Sequence, residues 1–358
     1  MKNQMKYKLL SVSKYPLRKN HHEGVNIGDY VQALAASQFY PHVDGFIDRD
    51  EELYCYEGEN CKMIMNGWYM HRPENWPPTD RIDPLFVAFH LNESHEDKML
   101  TPAGIAYLKQ YEPIGCRDLH TLRILQGKGI ESYFSGCLTL TLGQKYHSKF
   151  KNGKTYIVDP LYDGILTVAN VLRSVITTIC NPGAILRLVS KKELNFYGGK
   201  YRIRNILKIA LYFREYSKIF SKDIIVNSEY ITQQSVHYMK DFKTDSDRLN
   251  EAERLVKLYA GASLIITSRL HCALPALGLD TPVIFVSNEN DSSSSLCRFV
   301  GLKELMNVVS LRNGHLVPQF DTTLPVSMKN IPANKNSWRE LANSLIERCR
   351  NFVNGDKQ

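Results

Sequence analysis

The sequence predicts an α/β protein of two domains, each built on a parallel sheet, and three observations carry that reading. The first is an α-β-α-β unit near the carboxyl-terminal third. Leu249, Ala252, Leu255, Val256 and Tyr259 recur at helical spacing before Gly261, and Leu264 to Ile266 is a short apolar run of the kind buried on both faces of a parallel sheet. A second helix, Leu270 to Leu277, stops at Gly278 and leads through Pro282 into the strand Val283 to Val286. The second observation is size: 358 residues with 43% hydrophobic content can bury two ordinary α/β cores. The third is Gly143 to Lys154, which carries two glycines and four lysines and divides one strand-and-helix series from the next as a linker.

The first domain, residues 1–142, opens with a strand over Lys8 to Val12 and a polar loop from Ser13 to Val25. Asn26 is placed to cap a helix whose apolar stripe is Val31, Leu34, Ala35 and Phe39. Asp29 would then reach back to the Asn26 amide as the acid of a capping box. Alternatively, Gly28, lacking a side chain, lets a ligand approach the free amides there, with Asn26 and Asp29 beside it. Further strands are expected over Lys62 to Met65 and Leu85 to Phe89, with Gly67 to Pro73 as a loop after the first. Trp68 and Trp76 suit either sugar stacking or packing, and His71 and Arg72 stand beside Trp68. A strand Pro113 to Cys116 delivers Arg117 and Asp118 to a helix start, where Arg117 could fork onto a carboxylate or phosphate with Asp118 orienting it. Ser132 to Phe134 and Cys137 to Leu142 close the domain.

The second domain, residues 155–330, begins with the strand Tyr156 to Val158, takes in a helical insertion over 180–220, and continues with a strand over Ile224 to Val226 and the α-β-α-β unit. Asp291 to Ser295 is a polar loop. Residues 331–358 form a last helix opened by a capping box, Ser337-x-x-Glu340, with Trp338, Leu341, Leu345, Ile346 and Cys349 on one face.

Composition excludes several function classes. A net charge of +8 favours anionic ligands, but the basic residues are dispersed and no nucleic-acid module is present. The densest basic segment, Lys191-Lys192 through Lys222, interleaves Tyr197, Tyr201, Leu211, Tyr212 and Phe213. It reads as a solvated helix face over a core or as a peripheral membrane contact for a lipid-linked acceptor. The eight cysteines lack any zinc or Cys-x-x-Cys spacing, so reduced thiols and no metal site are expected. Met1 to Asn20 lacks the apolar core of a signal peptide and no stretch is long and apolar enough to span a bilayer, which predicts a cytoplasmic protein.

Ser268, Arg269 and His271 stand where the strand Leu264 to Ile266 turns into its helix, the place where α/β sheets bind ligands and where helix amides favour an anion. Pro275 has no N–H to return to the carbonyl of His271, so this first turn must be irregular. The alternative is a surface ion pair at Arg269 and a satisfied, half-buried ring at His271.

The Ser268-Arg269-Leu270-His271 stretch, with its apolar helix, Gly278, proline and strand, resembles the signature near the end of the polysaccharide pyruvyl transferase family. Asn26-Ile27-Gly28-Asp29 resembles that family's amino-terminal Asn-x-Gly-Asp motif, and Gly115-Cys116-Arg117-Asp118 its mid-domain Arg-Asp segment, in the family's order. The resemblance implies two Rossmann-like domains facing across a cleft, as in GT-B glycosyltransferases, with the last helix packed back on the first domain. It also implies transfer of pyruvate from phosphoenolpyruvate onto a sugar, or a lipid-linked saccharide, as a ketal. Phosphoenolpyruvate is then the donor substrate and no cofactor is expected. On this reading Arg269 and Arg117 bind the donor and His271 is the proton donor. Asn26, Gly28, Asp29, Asp118, Ser268 and Trp68 complete the site. A nucleotide-sugar glycosyltransferase of the same architecture, or a non-catalytic glycan-binding protein, are the alternatives.

Overall fold

The computed structural model describes residues 5–12, 14, 24–196, 202–235 and 237–355, and shows a mixed α/β fold with several parallel sheets. Most of the expected Ser13–Val25 loop, with Tyr197 and Tyr201, lies outside the described residues.

In the amino-terminal half, short parallel strands lie side by side. Lys6–Tyr7 pairs with Cys61–Ile64, which pairs with Ile82–Leu85, and Leu9–Ser11 pairs with Phe46–Asp48. Gly67–Tyr69, Phe89–Leu91, Ile114–Cys116 and Ser132–Phe134 form a second parallel group. The carboxyl-terminal half holds a six-stranded sheet in the order Glu229–Ile231, Thr155–Val158, Leu264–Thr267, Val283–Asn288, Asn307–Arg312, His315–Pro318, parallel except at the last pairing. Leu264–Thr267 is buried throughout between two parallel partners, which is why its side chains can be apolar on both faces.

Several expected elements take a different form. Ile224 to Val226 is not a strand but part of the helix Lys222–Asn227. The Ser221 hydroxyl accepts from the Ile224 amide and Asp223 sits in the first turn, so a good cap outweighs β-branched propensity, and the strand follows at Glu229–Ile231. Cys137 to Leu142 alternates like a strand, yet Leu138–Thr141 is a 3₁₀ turn with the Thr141 hydroxyl returned to the Leu138 carbonyl. The strand expected over Leu85 to Phe89 is split, because Ala88 takes a left-handed backbone with φ 52°. Gly67 to Pro73 is not all loop, since Gly67–Tyr69 pairs with Phe89–Leu91. The helical insertion begins earlier than 180, at Val168–Cys180, and continues through Pro182–Val189 and Arg202–Ile219. The basic segment proves to be a core-facing helix: Ile209, Leu211, Tyr212, Phe213 and Tyr216 are buried.

The last helix, Trp338–Asn354, forms without the expected capping box, for Ser337 has helical backbone angles and makes no side-chain cap bond. Its amphipathic pattern alone suffices to dock it, burying Trp338, Leu345, Cys349 and Phe352. It returns to the amino-terminal strands: Lys62 Nζ donates to the Phe352 carbonyl at 2.5 Å and the Tyr7 hydroxyl to that of Val353 at 3.4 Å.

The two halves meet closely at the helix Leu270–Gly278. A Cβ built on Gly278 would lie 2.3 Å from the Leu140 carbonyl oxygen, and one on Gly143 would lie 2.0 Å from the Gly278 carbonyl oxygen. Backbone thus crosses backbone at Gly143, the residue where the expected linker starts, and only glycine fits at either place. Gly278→Ala must push the chains apart, so we expect a loss of roughly 2–3 kcal/mol in folding stability by urea titration. An unchanged midpoint would show that the crossing is compliant.

Candidate functional site

One cavity of about 390 Å³ draws on both halves of the chain, and its lining includes Asn26, Asp29, Trp68, Arg117, Ser268, Arg269 and His271. Seven of the nine residues singled out from sequence therefore meet in one place. Gly28 and Asp118 do not line it.

Arg269 is the N-cap of its helix, and its side chain is held by Asp159: Nε donates to Oδ2 at 2.7 Å. The Ser268 hydroxyl donates to the Asp159 carbonyl at 2.7 Å and the Gln233 amide to Asp159 Oδ2 at 3.1 Å. Asp159 itself has left-handed backbone, φ 47°, just past the strand Thr155–Val158. The pairing fixes the root of the guanidinium and leaves its two terminal amino groups for a ligand. Ser268 is thus spent on positioning Asp159.

His271 occupies the irregular turn, with φ −83° and ψ 22° inside the helix. The carbonyl that Pro275 leaves without a helical partner is taken by Gln233, whose Nε2 donates to His271 O at 3.3 Å and to the Tyr259 hydroxyl at 3.0 Å. On the other side Gly28 closes in. A Cβ there would come within 3.1 Å of His271 Cβ, so the missing side chain at residue 28 makes room for the imidazole. The sequence reading gave that space to a ligand. Asn26 caps its helix by accepting from the Gly28 amide at 3.0 Å, and Gln233 O accepts from the Ile27 amide at 2.9 Å. Asp29 does not close the capping box but accepts from Gln32 Nε2 at 3.0 Å.

Arg117 is buried, and its Nε has no hydrogen-bond partner among the described residues, with Asp118 Oδ2 at 3.9 Å. Asp118 is committed elsewhere. It caps the helix Leu119–Gly127 through the Thr121 amide at 2.9 Å, accepts the Thr121 hydroxyl at 3.0 Å, and takes His90 Nδ1 at 2.6 Å. Burial, then the Arg117 charge, hold the His90 ring down at about 4, so it stays neutral and donates Nδ1–H to an ionised Asp118. Burial alone would raise the Asp118 carboxyl, but His90, Arg117 and the Thr121 amide together keep it below the usual range.

The cavity residues that went unremarked in the sequence include Arg49, Gln233 and Arg298. Arg49 lies buried against Asp50, Nη2 to Oδ2 at 2.6 Å, and its guanidinium stands 5.0 Å from the Trp68 ring centroid. Trp68 also packs on His71, centroids 4.6 Å apart, whereas Trp76 is buried among Tyr69, Phe86, Phe89 and Tyr107 and belongs to the core. Arg298 has a buried Nε without a partner among the described residues, and its pKa is lowered by burial first and by Arg117 and Arg269 next. Three guanidiniums therefore feel one another across the cavity.

Burial and that field act together on two titratable groups of the cavity wall, His271 and Asp29. Burial, Arg117, Arg298, His90 and Arg269 all push His271 well below its ordinary value, so the unliganded imidazole is neutral. Burial raises the Asp29 carboxyl despite the opposing charges of Arg49 and Arg117. The cavity wall thus carries an acid pushed up and an imidazole pushed down.

For metals the sequence predicts no site. Glu93, His120 and Cys297 nonetheless bring one ligand atom each within 4.8 Å of one another. The Cys297 thiol is raised by burial and donates to the Ser294 carbonyl at 3.2 Å.

The family model for polysaccharide pyruvyl transferase matches residues 94–290, more than half of the chain, and so takes in Arg117, Asp159, Arg269 and His271. The chain belongs to the polysaccharide pyruvyl transferase family. Membership makes it a transferase. Asn26 to Asp29 precede the matched stretch, yet Gly28 closes on His271 and Asn26 and Asp29 line the same cavity. No curated protein and no solved structure matches the chain. Among the described residues no helix is long and apolar enough to cross a membrane.

The protonation states have a consequence for stability. His90 titrates near 6.5 when unfolded and near 4 when folded, so its contribution is complete above pH 6.5 and is lost as the pH falls toward 4. His271 acts in the same direction. Urea midpoints of the unliganded chain should therefore drop between those pH values, with on the order of 2–3 kcal/mol from His90. An NMR titration placing the His90 ring near its ordinary value would contradict this.

Proposed function

We propose that this chain transfers the pyruvyl group of phosphoenolpyruvate onto two hydroxyls of a saccharide, releasing phosphate and leaving a ketal. One observation carries the reading: Arg117, Arg269 and Arg298 line a single cavity, and among the described residues Arg269 alone of the three is hydrogen-bonded to a carboxylate, Asp118 standing 3.9 Å from Arg117. Such a concentration of positive charge calls for a ligand with more than one anionic group. Phosphoenolpyruvate has a phosphate and a carboxylate, and family membership points the same way. The reading includes two Rossmann-like halves facing across the cavity, roughly residues 1–142 and 155–330. It is supported by Arg117 following a strand of the amino-terminal half and Arg269 a strand of the carboxyl-terminal one.

The chemistry asks for a proton at the methylene carbon, so that the neighbouring carbon becomes electrophilic to a sugar hydroxyl. Phosphate then departs as the second hydroxyl attacks. One hydroxyl proton replaces the proton delivered to carbon and the other leaves with phosphate, so the balance closes without a cofactor. His271 is neutral in the empty site and takes up its proton when the anionic donor offsets the guanidinium charges. Trp68, with Arg49 and His71 against it, offers a ring face for the acceptor sugar. A second reading is favoured by the raised Asp29: the carboxyl delivers the proton and neutral His271 receives one from the attacking hydroxyl.

The decisive assay is saccharide-dependent phosphate release from phosphoenolpyruvate. Nucleotide release from a nucleotide sugar instead would defeat the proposal. Two variants test the assignments. Arg298→Lys keeps the charge but loses the planar fork, and donor affinity should fall by roughly ten-fold to a few hundred-fold; unchanged affinity would remove Arg298 from the donor site. His271→Gln should lower turnover by about a hundred-fold or more with donor binding largely kept, since a positioned acid or base contributes on that scale. Asp29→Asn separates the two readings: a comparable loss assigns the acid to Asp29, and near-normal turnover assigns it to His271.

A further inference from the structure

The helix Val168–Cys180 is packed inside out. Its buried residues are Ser174 and Thr177, while Val168, Leu172, Val175, Ile176 and Ile179 are between 42% and 90% exposed. At about 100° per residue those five fall within an arc of roughly 100°, with Ser174 and Thr177 opposite. The inward hydroxyls are satisfied: Ser174 Oγ donates to the Leu207 carbonyl at 3.0 Å, on the neighbouring helix, and Thr177 Oγ1 to that of Arg173 at 2.7 Å. The next helix, Pro182–Val189, buries Ile185 and Leu188 in the ordinary way, so the inversion belongs to Val168–Cys180 alone. A surface helix normally turns its apolar stripe to the core, and a contiguous exposed stripe marks a surface that meets something apolar.

Charge identifies what it meets. From Gly164 to Lys192 there is no acidic residue, while Arg173, Arg187, Lys191 and Lys192 are all basic. A second copy of the chain on this face would set like charges against each other, whereas an anionic lipid surface complements them. Thirteen residues of helix are far too short to span a bilayer but suit a helix lying in its plane. We propose that Val168–Cys180 seats the protein on an anionic membrane surface, with its apolar stripe among the acyl chains and the basic residues at the headgroups. This inference does not depend on the donor or the reaction.

Co-sedimentation of the full chain with vesicles tests it. The protein should pellet with phosphatidylcholine vesicles containing about a third phosphatidylglycerol and far less with phosphatidylcholine alone, the binding weakening with added salt. Leu172→Ser, Ile176→Ser and Ile179→Ser combined should reduce partitioning by roughly a hundred-fold or more. Arg173→Gln with Arg187→Gln should cost roughly five-fold per charge on the anionic vesicles. All five positions are exposed and outside the cavity, so thermal melts should match the parent chain. Failure to pellet with anionic vesicles, or equal pelleting of the triple serine variant, would overturn the proposal. So would a dimer in solution that the triple variant dissociates without any vesicle binding, since the face would then join two copies.

Discussion

Mutual repulsion among Arg117, Arg269 and Arg298 is the constraint around which the site is built. Each lowers the cost of binding an anion and raises the cost of the empty state, so the fold must pin all three against the tendency to swing apart. The pinning is done locally. Asp159 takes Arg269 Nε, Arg117 is buried too deeply to move, and Arg298 is lodged with its Nε out of water. Asp118 stands 3.9 Å from Arg117 and offsets part of its charge, but His90 and Thr121 occupy its oxygens. Enough positive charge remains to press on Arg298 and His271. The same field deprives His271 of its proton, so anion affinity and imidazole state are two readings of one arrangement.

Rigidity comes from the helix that carries His271. Its far end is clamped where Gly143 and Gly278 bring backbone against backbone, and its irregular near end is clamped by Gln233. Gln233 is the more informative residue, because it reaches three segments. Its amide goes to Asp159, its side chain to His271 O, and its carbonyl takes the Ile27 amide. Gln234–Ser235 then pairs antiparallel with Val25–Asn26. A segment of the carboxyl-terminal half thus fixes the helix that presents Asp29 and Gly28. The cavity is a property of both halves together.

What the sequence made legible was whatever depends on near neighbours. The unit around Leu264–Thr267, the N-cap at Asn26 and the consequence of Pro275 are all set within a few residues, and each takes the expected form. Asp159 lay within reach of the same rule, being a polar residue at the end of a buried strand, as Arg269 is. Arg298 and Gln233 carried no such signal, for their roles arise from contacts across 26 positions or more of the chain. His90 hid inside a strand, where a polar residue reads as ordinary alternation until burial and Asp118 are seen. The Ile224 stretch was misread because β-branched residues signal a strand only when tertiary pairing is on offer, and a serine cap withdrew it. The Val168 helix hid differently: its pattern announces amphipathicity, but the pattern alone does not say which face turns inward.

The depressed His271 bears on how a transferase avoids destroying its donor. On the proposed reading, an enol carbon is protonated only by an acid that is charged at the right moment, and in the empty site the imidazole holds no proton to give. Each anionic group of the donor that settles among the guanidiniums weakens the repulsion that kept His271 neutral, so donor binding and proton uptake are linked. The acid is assembled by the substrate it will act on. If the carboxyl of Asp29 supplies the proton instead, the same charges work in the opposite sense: an arriving anion raises it further, and the proton is held more firmly until the acceptor hydroxyl arrives beside His271. Both routes make the protonation state follow occupancy, because the charges that bind the donor also act on the two groups that burial has shifted.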